Sequence, residues 1–515
     1  MTGPGGGGPA GGTGSAGTGD RRDDRGHQRG AARAEGRSRR TAVTPAQRGR
    51  EGDPSRTAAF DVLREVATSD AYANLVLPPL LRQRRIAGRD AAFATELAYG
   101  TLRMRGRYDA VLALVVDRGL QKVDPPVLDL LRLGAHQLLG MRVPPHAAVS
   151  ETVALARAQA GAGAAQFVNA ILRQVAEHPL ETWLDRITAA AADDDSRLAA
   201  VWSHPAWIVR AMREALVGAG RPADEIAALL AADDEAPHVT LAARPGLVTL
   251  DELRSQTHGA TPGRLTPTAL RLAGGDPAAL PAVRDGRAGV QDEGSQLVAL
   301  ALAHAPLEGR DERWLDLAAG PGGKAALLAA EAARRGARLV ANELQPHRVR
   351  LVRDSLRAAP AGAVEEVRTG DGRLVGSAEP GGYDRVLLDA PCTGLGALRR
   401  RPEARWRRTP ADLAALTQLQ RELLTAALSA VRPGGLVAYV TCSPHLAETR
   451  LVVADVLRAA ARGGTTATLV DARPVVAALA PSGDADLGDG PQLQLWPHVH
   501  GTDAMHLTLL RRDDS

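Results

Sequence analysis

The chain has two cysteines in 515 residues, and each follows a short apolar run with the composition of a buried strand. Cys392 lies in LLDAPCTG and Cys442 lies in AYVTCSP. Thiolates are the strongest ordinary side-chain nucleophiles near neutral pH. Two thiols at the ends of two predicted strands therefore favour a site that uses sulfur. From position alone, two buried core residues or a single disulfide remain alternatives.

A glycine-rich turn precedes the cysteines, in the segment 317–324 that joins a predicted strand to a helix. Glycines let the backbone approach a ligand closely, and a helix N-terminus offers free amides. The turn is neither GxGxxG nor a Walker loop. Carboxylates follow the next predicted strands, and the ends of parallel strands meet at one crevice, although singly each acid could be a helix cap or a surface charge. The candidate cofactor residues are Ala318, Ala319, Gly320, Pro321, Gly322, Gly323, Lys324, Glu343, Asp371 and Asp389.

The combination of two thiols, a carboxylate and a nucleoside cofactor suits attack on a pyrimidine. Neighbouring strands lie about 4.8 Å apart, so Cys392 and Cys442 could face one crevice. A thiolate that adds to carbon 6 of cytosine makes carbon 5 nucleophilic, while Asp389 protonates or hydrogen-bonds ring nitrogen 3. Methyl transfer, loss of the carbon-5 proton and expulsion of the thiolate then complete the reaction.

A basic run follows the proposed active-site loop: RRRPEARWRR at 399–408 contains six arginines, one glutamate and one tryptophan. Guanidinium groups contact phosphates, and a tryptophan ring stacks on bases. A solvated charge run is the alternative. The predicted RNA-contacting residues are Arg399, Arg400, Arg401, Arg405, Trp406, Arg407 and Arg408.

Composition sets limits on the class of protein. Hydrophobic residues make up 44% of the chain, which is enough for real cores, whereas aromatic residues make up only 3%. No apolar run reaches the length of about 20 residues that a bilayer span needs, and the N-terminus lacks the pattern of a secretory signal. Two cysteines argue against a secreted disulfide scaffold. We expect a cytoplasmic protein with no membrane contact and no metal, and nothing demands more than a monomer.

Hydrophobic patterning divides the chain into four parts. Residues 1–55 form a Gly/Arg-rich tail that we expect to be disordered, because it has too few large apolar residues to build a core. Residues 56–178 have helical periodicity throughout, with a helix start at Asp124-Pro125-Pro126. Residues 179–290 are predicted to contain linker helices and a small α+β segment that binds RNA. Strands and helices alternate over 291–513, which predicts a mostly parallel, doubly wound Rossmann-like sheet.

The segments DLAAGPGGK, GDGR, LLDAPCTGLGALRRRPEARW and VTCS, in this order, resemble the S-adenosylmethionine-dependent RNA cytosine-5 methyltransferases. The closer resemblance is to the bacterial RsmB/Sun-type enzymes, which act on 16S ribosomal RNA and carry an N-terminal NusB-like helical domain. VQDEGSQL (290–297) and LWPHVHGTDAMHLTLL (495–510) are also similar to segments of that family. The resemblance covers about 56–511. It implies a NusB-like domain, a methyltransferase domain, an RNA substrate and S-adenosyl-L-methionine as cofactor.

The resemblance also implies a role for each site residue. Cys442 would be the nucleophile, Cys392 would assist product release, and Asp389 would contact the base and the cofactor region. Residues 318–324, Glu343 and Asp371 would bind S-adenosylmethionine. The sequence departs from the family at Ala318, where many relatives have Cys, at Gly320, where Ala is common, and at Glu343, which replaces a frequent Asp.

Other functions remain as alternatives. A DNA cytosine-5 methyltransferase would use the Pro391-Cys392 pair for attack, although the second thiol and the helical domain speak against it. A non-catalytic RNA-binding assembly factor could retain the same fold. A nicotinamide oxidoreductase is disfavoured because GxGxxG is missing.

Overall fold

A computed structural model of the chain describes residues 53–69, 71–481 and 485–513. Residues 1–52 of the predicted disordered tail lie outside the described residues. The first helix begins at Pro54, one residue before the predicted end of the tail, because Asp53 caps it by accepting a hydrogen bond from the Arg56 N–H at 2.8 Å. Within the described ranges, no helix combines the length and apolar character that crossing a bilayer requires.

Most of the helices precede the first long strand. In chain order they are α1 (Pro54–Thr68), α2 (Ala73–Gln83), α3 (Gly88–Arg103), α4 (Arg105–Ala113), α5 (Pro125–Leu139), α6 (Pro145–Val175), α7 (Leu180–Ala189), α8 (Asp194–Val201), α9 (Ala206–Gly218), α10 (Ile226–Asp234), α11 (Leu250–Ser255), α12 (Pro281–Arg284), α13 (Glu293–His304), α14 (Gly323–Arg334), α15 (Pro346–Leu356), α16 (Val375–Ala378), α17 (Ala404–Arg407), α18 (Asp412–Ala430), α19 (Arg450–Arg462), α20 (Arg473–Leu479) and α21 (Pro497–His500).

The strands are short in the middle of the chain and longer towards its end. They are β1 (Thr240–Ala243), β2 (Thr261–Pro262), β3 (Ala269–Arg271), β4 (Ala288–Val290), β5 (Arg313–Asp316), β6 (Arg338–Glu343), β7 (Val364–Thr369), β8 (Tyr383–Asp389), β9 (Val431–Thr441), β10 (Ala467–Val470), β11 (Leu493–Gln494) and β12 (His506–Arg512).

Helices α1 to α6 form an all-helical domain around one apolar core, which confirms the predicted helical N-terminal region. The start predicted at Asp124 is correct, because α5 begins at Pro125 with Asp124 at the N-cap position. The last helix of the domain is interrupted at Gly161, whose φ of 87° is left-handed. Glycine adopts that conformation without steric cost.

Helices α8 to α10 pack on the domain that follows them. Their apolar residues share a core with Leu395, Leu398 and Trp496 from the C-terminal part of the chain. Strands β1 to β4 form a separate antiparallel sheet in the order β2-β3-β1-β4. This middle part of the chain therefore contacts the segment that follows Cys392.

The C-terminal domain contains a sheet in the order β10-β12-β9-β8-β5-β6-β7, with β11 paired to β12. Strands β5 to β9 run parallel, and β12 lies antiparallel between β9 and β10. Apolar cores cover both faces, with α13, α14 and α20 on one side and α18 and α19 on the other. The predicted mostly parallel, doubly wound sheet is confirmed. From β5 the chain adds strands on one side of the sheet, and from β8 it adds them on the other. Open α/β sheets bind ligands at such a switch point.

Candidate active site

The two cysteines lie at the carboxyl ends of neighbouring parallel strands. Strand β8 ends at Asp389 and β9 ends at Thr441, and Asp389 is paired in register with Val440. The Sγ atoms of Cys392 and Cys442 are 3.4 Å apart. Both thiols are free and partly exposed. The alternatives of two unrelated core residues or a disulfide therefore do not describe this pair.

The thiols differ in acidity because the hydrogen bond between them acts on their pKa values in opposite directions. The hydrogen bond with Cys392 lowers the pKa of Cys442, and Lys324 and Arg401 act in the same direction. The same hydrogen bond raises the pKa of Cys392 well above its usual value, and burial adds to the effect. Cys442 is therefore the more acidic of the two thiols.

Lys324 joins the glycine-rich turn to the thiol site. Its Nζ lies 2.8 Å from Asp389 Oδ2, and the two residues come from the start of α14 and the end of β8. Burial acts to lower the pKa of Lys324, but the charges of Asp389 and the neighbouring groups outweigh burial and raise it. A lysine that stays charged holds the carboxylate of Asp389 in one position beside the sulfurs.

In the glycine-rich turn the backbone passes close to neighbouring side chains. The Gly320 N–H donates a hydrogen bond to Glu343 Oε2 at 2.9 Å, and a Cβ at Gly320 would collide with that carboxylate and with Arg348. Gly322 has a left-handed φ of 110° and caps α14, which starts at Gly323. The departure from the family at Gly320 thus has a local reason, because the longer Glu343 side chain occupies the space that an alanine methyl would need.

The predicted acids occupy the ends of β6 and β7. Glu343 is buried and accepts hydrogen bonds from two backbone N–H groups, those of Gly320 and Gln345, both at 2.9 Å. Asp371 is partly exposed, and the hydrogen bond from the Arg373 side chain lowers its pKa. The structure brings both acids to the same sheet edge as residues 318–324, and their contact with a cofactor stays a prediction.

Asp316, at the end of β5, is a site residue that the sequence analysis missed. It is buried, and neither carboxyl oxygen accepts a hydrogen bond of normal geometry from the described residues. Burial and, next in size, the charge of Asp389 raise its pKa to about 7. The available signal was its place as the first residue of DLAAGPGGK, directly before the turn. A carboxyl group with a raised pKa inside a crevice is typical of functional sites.

The prediction of RNA contact is wrong for Arg405. Its side chain is fully buried and donates to Asp234 at 2.7 Å and to the backbone carbonyls of Arg103, Ser203 and Asp233. These acceptors come from the helical domain and from the linker helices. The guanidinium group therefore joins three parts of the chain and has no free surface for a phosphate.

The prediction also needs correction for Arg399, which is buried and donates to Asp503 at 3.3 Å. Arg400 pairs with Asp292 and Asp503. These two arginines hold acids of other segments, because a buried carboxylate needs a charged partner.

The other members of the run lie at the surface of the domain junction. Trp406 packs against Gly106, and Arg407 donates to backbone carbonyls of the helical domain. Arg401 is exposed, with its guanidinium 4.7 Å from the centre of the Tyr72 ring, and Arg408 is partly exposed. RNA contact stays a prediction for these residues, and Arg401 is the most accessible of them.

Metal ligands were not expected in the sequence. Among the described residues, no three His, Cys, Asp or Glu side chains are grouped closely enough to hold a metal ion.

Family models match two parts of the chain. Residues 302–511 match the model described as 16S rRNA methyltransferase RsmB/F, and residues 53–177 match the NusB family. One crystal structure, titled PH0851, has the same fold, with a TM-score of 0.72 and 20% identity over 90% of this chain and 100% of that chain.

Curated relatives cover nearly the whole chain. A Mycobacterium tuberculosis protein named a putative methyltransferase is 54% identical over 91% of this chain and 100% of its own length. A Ribosomal RNA small subunit methyltransferase B of Enterobacter is 30% identical over 84% of this chain and 96% of its own. The resemblance seen in the motifs is confirmed, and the chain belongs to the RsmB family of 16S ribosomal RNA methyltransferases.

Proposed function

We propose that this protein transfers a methyl group from S-adenosyl-L-methionine to carbon 5 of a cytosine in small-subunit ribosomal RNA. The observation that carries the proposal is the 3.4 Å separation of the two sulfurs beside the Lys324–Asp389 ion pair. A thiol with a lowered pKa suits the first task of this reaction, attack on carbon 6.

In the proposed reaction the Cys442 thiolate attacks carbon 6 of cytosine and forms a covalent bond with it. As this bond forms, the carboxyl group of Asp389, in its protonated form and held by Lys324, gives its proton to ring nitrogen 3, and carbon 5 becomes nucleophilic; nitrogen 3 returns the proton to Asp389 as carbon 5 takes up the methyl group. Once the Cys442 sulfur is bonded to carbon 6 it carries no charge, so the influence of Cys442 that raises the pKa of Cys392 is lost and Cys392 can ionise. After carbon 5 is methylated, the Cys392 thiolate accepts the carbon-5 proton. The electron pair then restores the ring double bond and expels the Cys442 thiolate.

The glycine-rich turn and the acids beside it suit a nucleoside cofactor. A Cβ at Gly320 would meet the ends of the Glu343 and Arg348 side chains, and α14 presents its N-terminus directly after the turn. Residues 318–324, Glu343 and Asp371 would hold S-adenosylmethionine, which supplies an electrophilic methyl group when bound. RNA contacts are proposed for residues 179–290, for the exposed Arg401 and for the partly exposed Arg408.

The experiment compares transfer of labelled methyl groups to 16S ribosomal RNA and to DNA of the same sequence. Cys442→Ala should abolish transfer, and Cys392→Ala should trap a covalent protein–RNA adduct that survives denaturation. The double variant Cys392→Ala/Cys442→Ala is the control, because the chain has no third cysteine to form an adduct.

Three outcomes would contradict the proposal. Transfer to DNA alone would indicate a DNA methyltransferase. RNA binding without transfer to either substrate would indicate an assembly factor. An adduct in Cys442→Ala would reverse the roles of the two thiols.

A further inference from the structure

The two cysteines lie beyond the hydrogen-bonded ends of their strands. The last residues of β8 and β9 are Asp389 and Thr441, so the sheet ladder does not hold the thiols themselves. One backbone hydrogen bond, from the Gly396 N–H to the Cys442 carbonyl at 2.8 Å, links the two loops. Further contacts must therefore fix the distance between the sulfurs.

Glu448, in the short 3₁₀ turn Leu446–Glu448, supplies these contacts. Its Oε1 accepts from the Thr393 N–H at 2.7 Å, and its Oε2 accepts from the hydroxyls of Thr393 at 2.5 Å and Ser443 at 2.6 Å. Thr393 directly follows Cys392, and Ser443 directly follows Cys442. One carboxylate thus holds the residue after each thiol.

Hydrogen bonds from neighbouring residues fix the position of Glu448. Its side chain is fully buried, and Gln420 donates to Oε1 at 3.2 Å while also donating to the Pro391 carbonyl at 2.8 Å. The Tyr439 hydroxyl donates to the Glu448 carbonyl at 2.6 Å. A buried carboxylate is stable only when it is fully hydrogen-bonded, so its donors cannot move independently. The thiols carry no hydrogen bond to Glu448 among these contacts, but its charge contributes to the raised pKa of Cys392. Glu448 therefore acts on the pair through position and through charge, and Glu448→Gln removes the charge while it keeps the contacts.

We propose that Glu448 is a positioning residue that sets the separation of Cys392 and Cys442 by clamping Thr393 and Ser443 together. This inference rests on the proposed function, in which Cys392 must reach the adduct that Cys442 forms. Without the clamp, Cys442 still attacks the base, but Cys392 is displaced from the carbon-5 proton and release becomes slow.

The first test measures thiol separation without RNA or cofactor. Diamide, an azo oxidant, takes two electrons and two protons from a pair of thiols and leaves a disulfide, whose S–S bond is about 2.05 Å long. We expect Glu448→Ala to slow formation of the Cys392–Cys442 disulfide about tenfold or more. Glu448→Gln should stay within about threefold of the wild type, because its amide oxygen accepts from the Thr393 N–H while its amide hydrogens meet the two hydroxyls, which rotate to accept.

The second test measures release during turnover with 16S ribosomal RNA. Glu448→Ala should accumulate the same covalent protein–RNA adduct as Cys392→Ala, and Glu448→Gln should not. If Glu448→Ala does not fold, Thr393→Val combined with Ser443→Ala removes only the two hydroxyl donors and should slow disulfide formation in the same direction.

Asp384→Asn is the matched control. Asp384 is also a fully buried carboxylate, but it lies at the start of β8 and holds Arg310, Arg432 and the backbone N–H groups of Glu312 and Arg313. Its substitution should lower the melting temperature and leave the disulfide rate unchanged.

Two results would overturn the role of Glu448: an unchanged disulfide rate in Glu448→Ala, or an equal slowing in Asp384→Asn. If the wild type transfers no methyl group to RNA, the proposed function fails. The diamide measurement still decides whether Glu448 sets the thiol separation.

Discussion

The guanidinium of Arg405 donates a 2.7 Å hydrogen bond to the carboxylate of Asp234, and both side chains are buried at the junction of the protein's domains. Arg405 comes from α17, shortly after the Cys392 loop, and Asp234 ends α10 of the linker helices. The backbone carbonyl of Arg103, at the end of α3, accepts from the same guanidinium. The position of the helical domain is therefore tied to the loop that carries a thiol.

Arg405→Ala should strongly destabilise the protein, because it leaves the Asp234 carboxylate buried without its partner. Removing one member of a buried ion pair costs about 3–5 kcal/mol. Denaturant unfolding at neutral pH measures this loss, and Arg408→Ala, in the same short segment but partly exposed, is the control. Equal stability of the two variants would show that the junction does not depend on Arg405.

Arg401→Ala should weaken RNA binding and leave the folded state unchanged. The Arg401 side chain is exposed, and its guanidinium group lies over the ring of Tyr72. Its loss therefore removes a positive charge from the surface. The slope of log affinity against log salt should decrease by about 0.7 if one phosphate contact is lost. Titrations at several salt concentrations test this, and an unchanged slope would remove Arg401 from the proposed RNA surface.

Removal of either thiol should bring the pKa of the remaining one closer to the usual value of a cysteine. Cys392→Ala should raise the pKa of Cys442, because the thiol hydrogen bond is the largest influence that lowers it. Cys442→Ala should lower the pKa of Cys392, because the same bond is the largest influence that raises it. The pH dependence of iodoacetamide alkylation reports both values. Opposite shifts would show that Cys392, not Cys442, ionises first.

Asp316→Asn should stabilise the protein at alkaline pH. The folded-state pKa of Asp316 is raised to about 7 by burial and the charge of Asp389, so the folded state binds this proton more tightly than the unfolded state. The free energy of unfolding therefore falls as pH rises from about 4 to 7, by about 1.4 kcal/mol per unit of pKa difference. The asparagine variant loses this dependence.

Urea unfolding at pH 5 and at pH 8 measures the effect. The gain from Asp316→Asn should be larger at pH 8 than at pH 5. A gain that is equal at both pH values would mean that Asp316 does not titrate in this range.

The meeting of the two thiols was predictable because it depends on strand order. Cys392 and Cys442 each follow an apolar run, and the ends of adjacent parallel strands share one edge of a sheet. The turn at 318–324 and the acids at 343 and 371 reach the same edge for the same reason. Alternation of strands and helices determines these placements, and it is visible in sequence.

The burial of Arg405 was not predictable, because its acceptors are far away in the chain. Asp234 lies 171 residues before it, and the carbonyl of Arg103 lies 302 residues before it. A run of arginines has the composition of a solvated surface, and only the packing of three segments shows otherwise. The raised pKa of Asp316 and the clamp at Glu448 depend in the same way on neighbours from distant segments.

Strand β12 fills the gap between β9 and β10, and it is the last of the described strands in chain order. Until β12 inserts, one whole side of β9 exposes unpaired N–H and C=O groups next to the residue that becomes the nucleophile in our proposal. An open strand of this kind is a template for pairing with other chains. A nascent molecule thus exposes a pairing edge at the strand that leads to the proposed nucleophile, and insertion of β12 covers that edge.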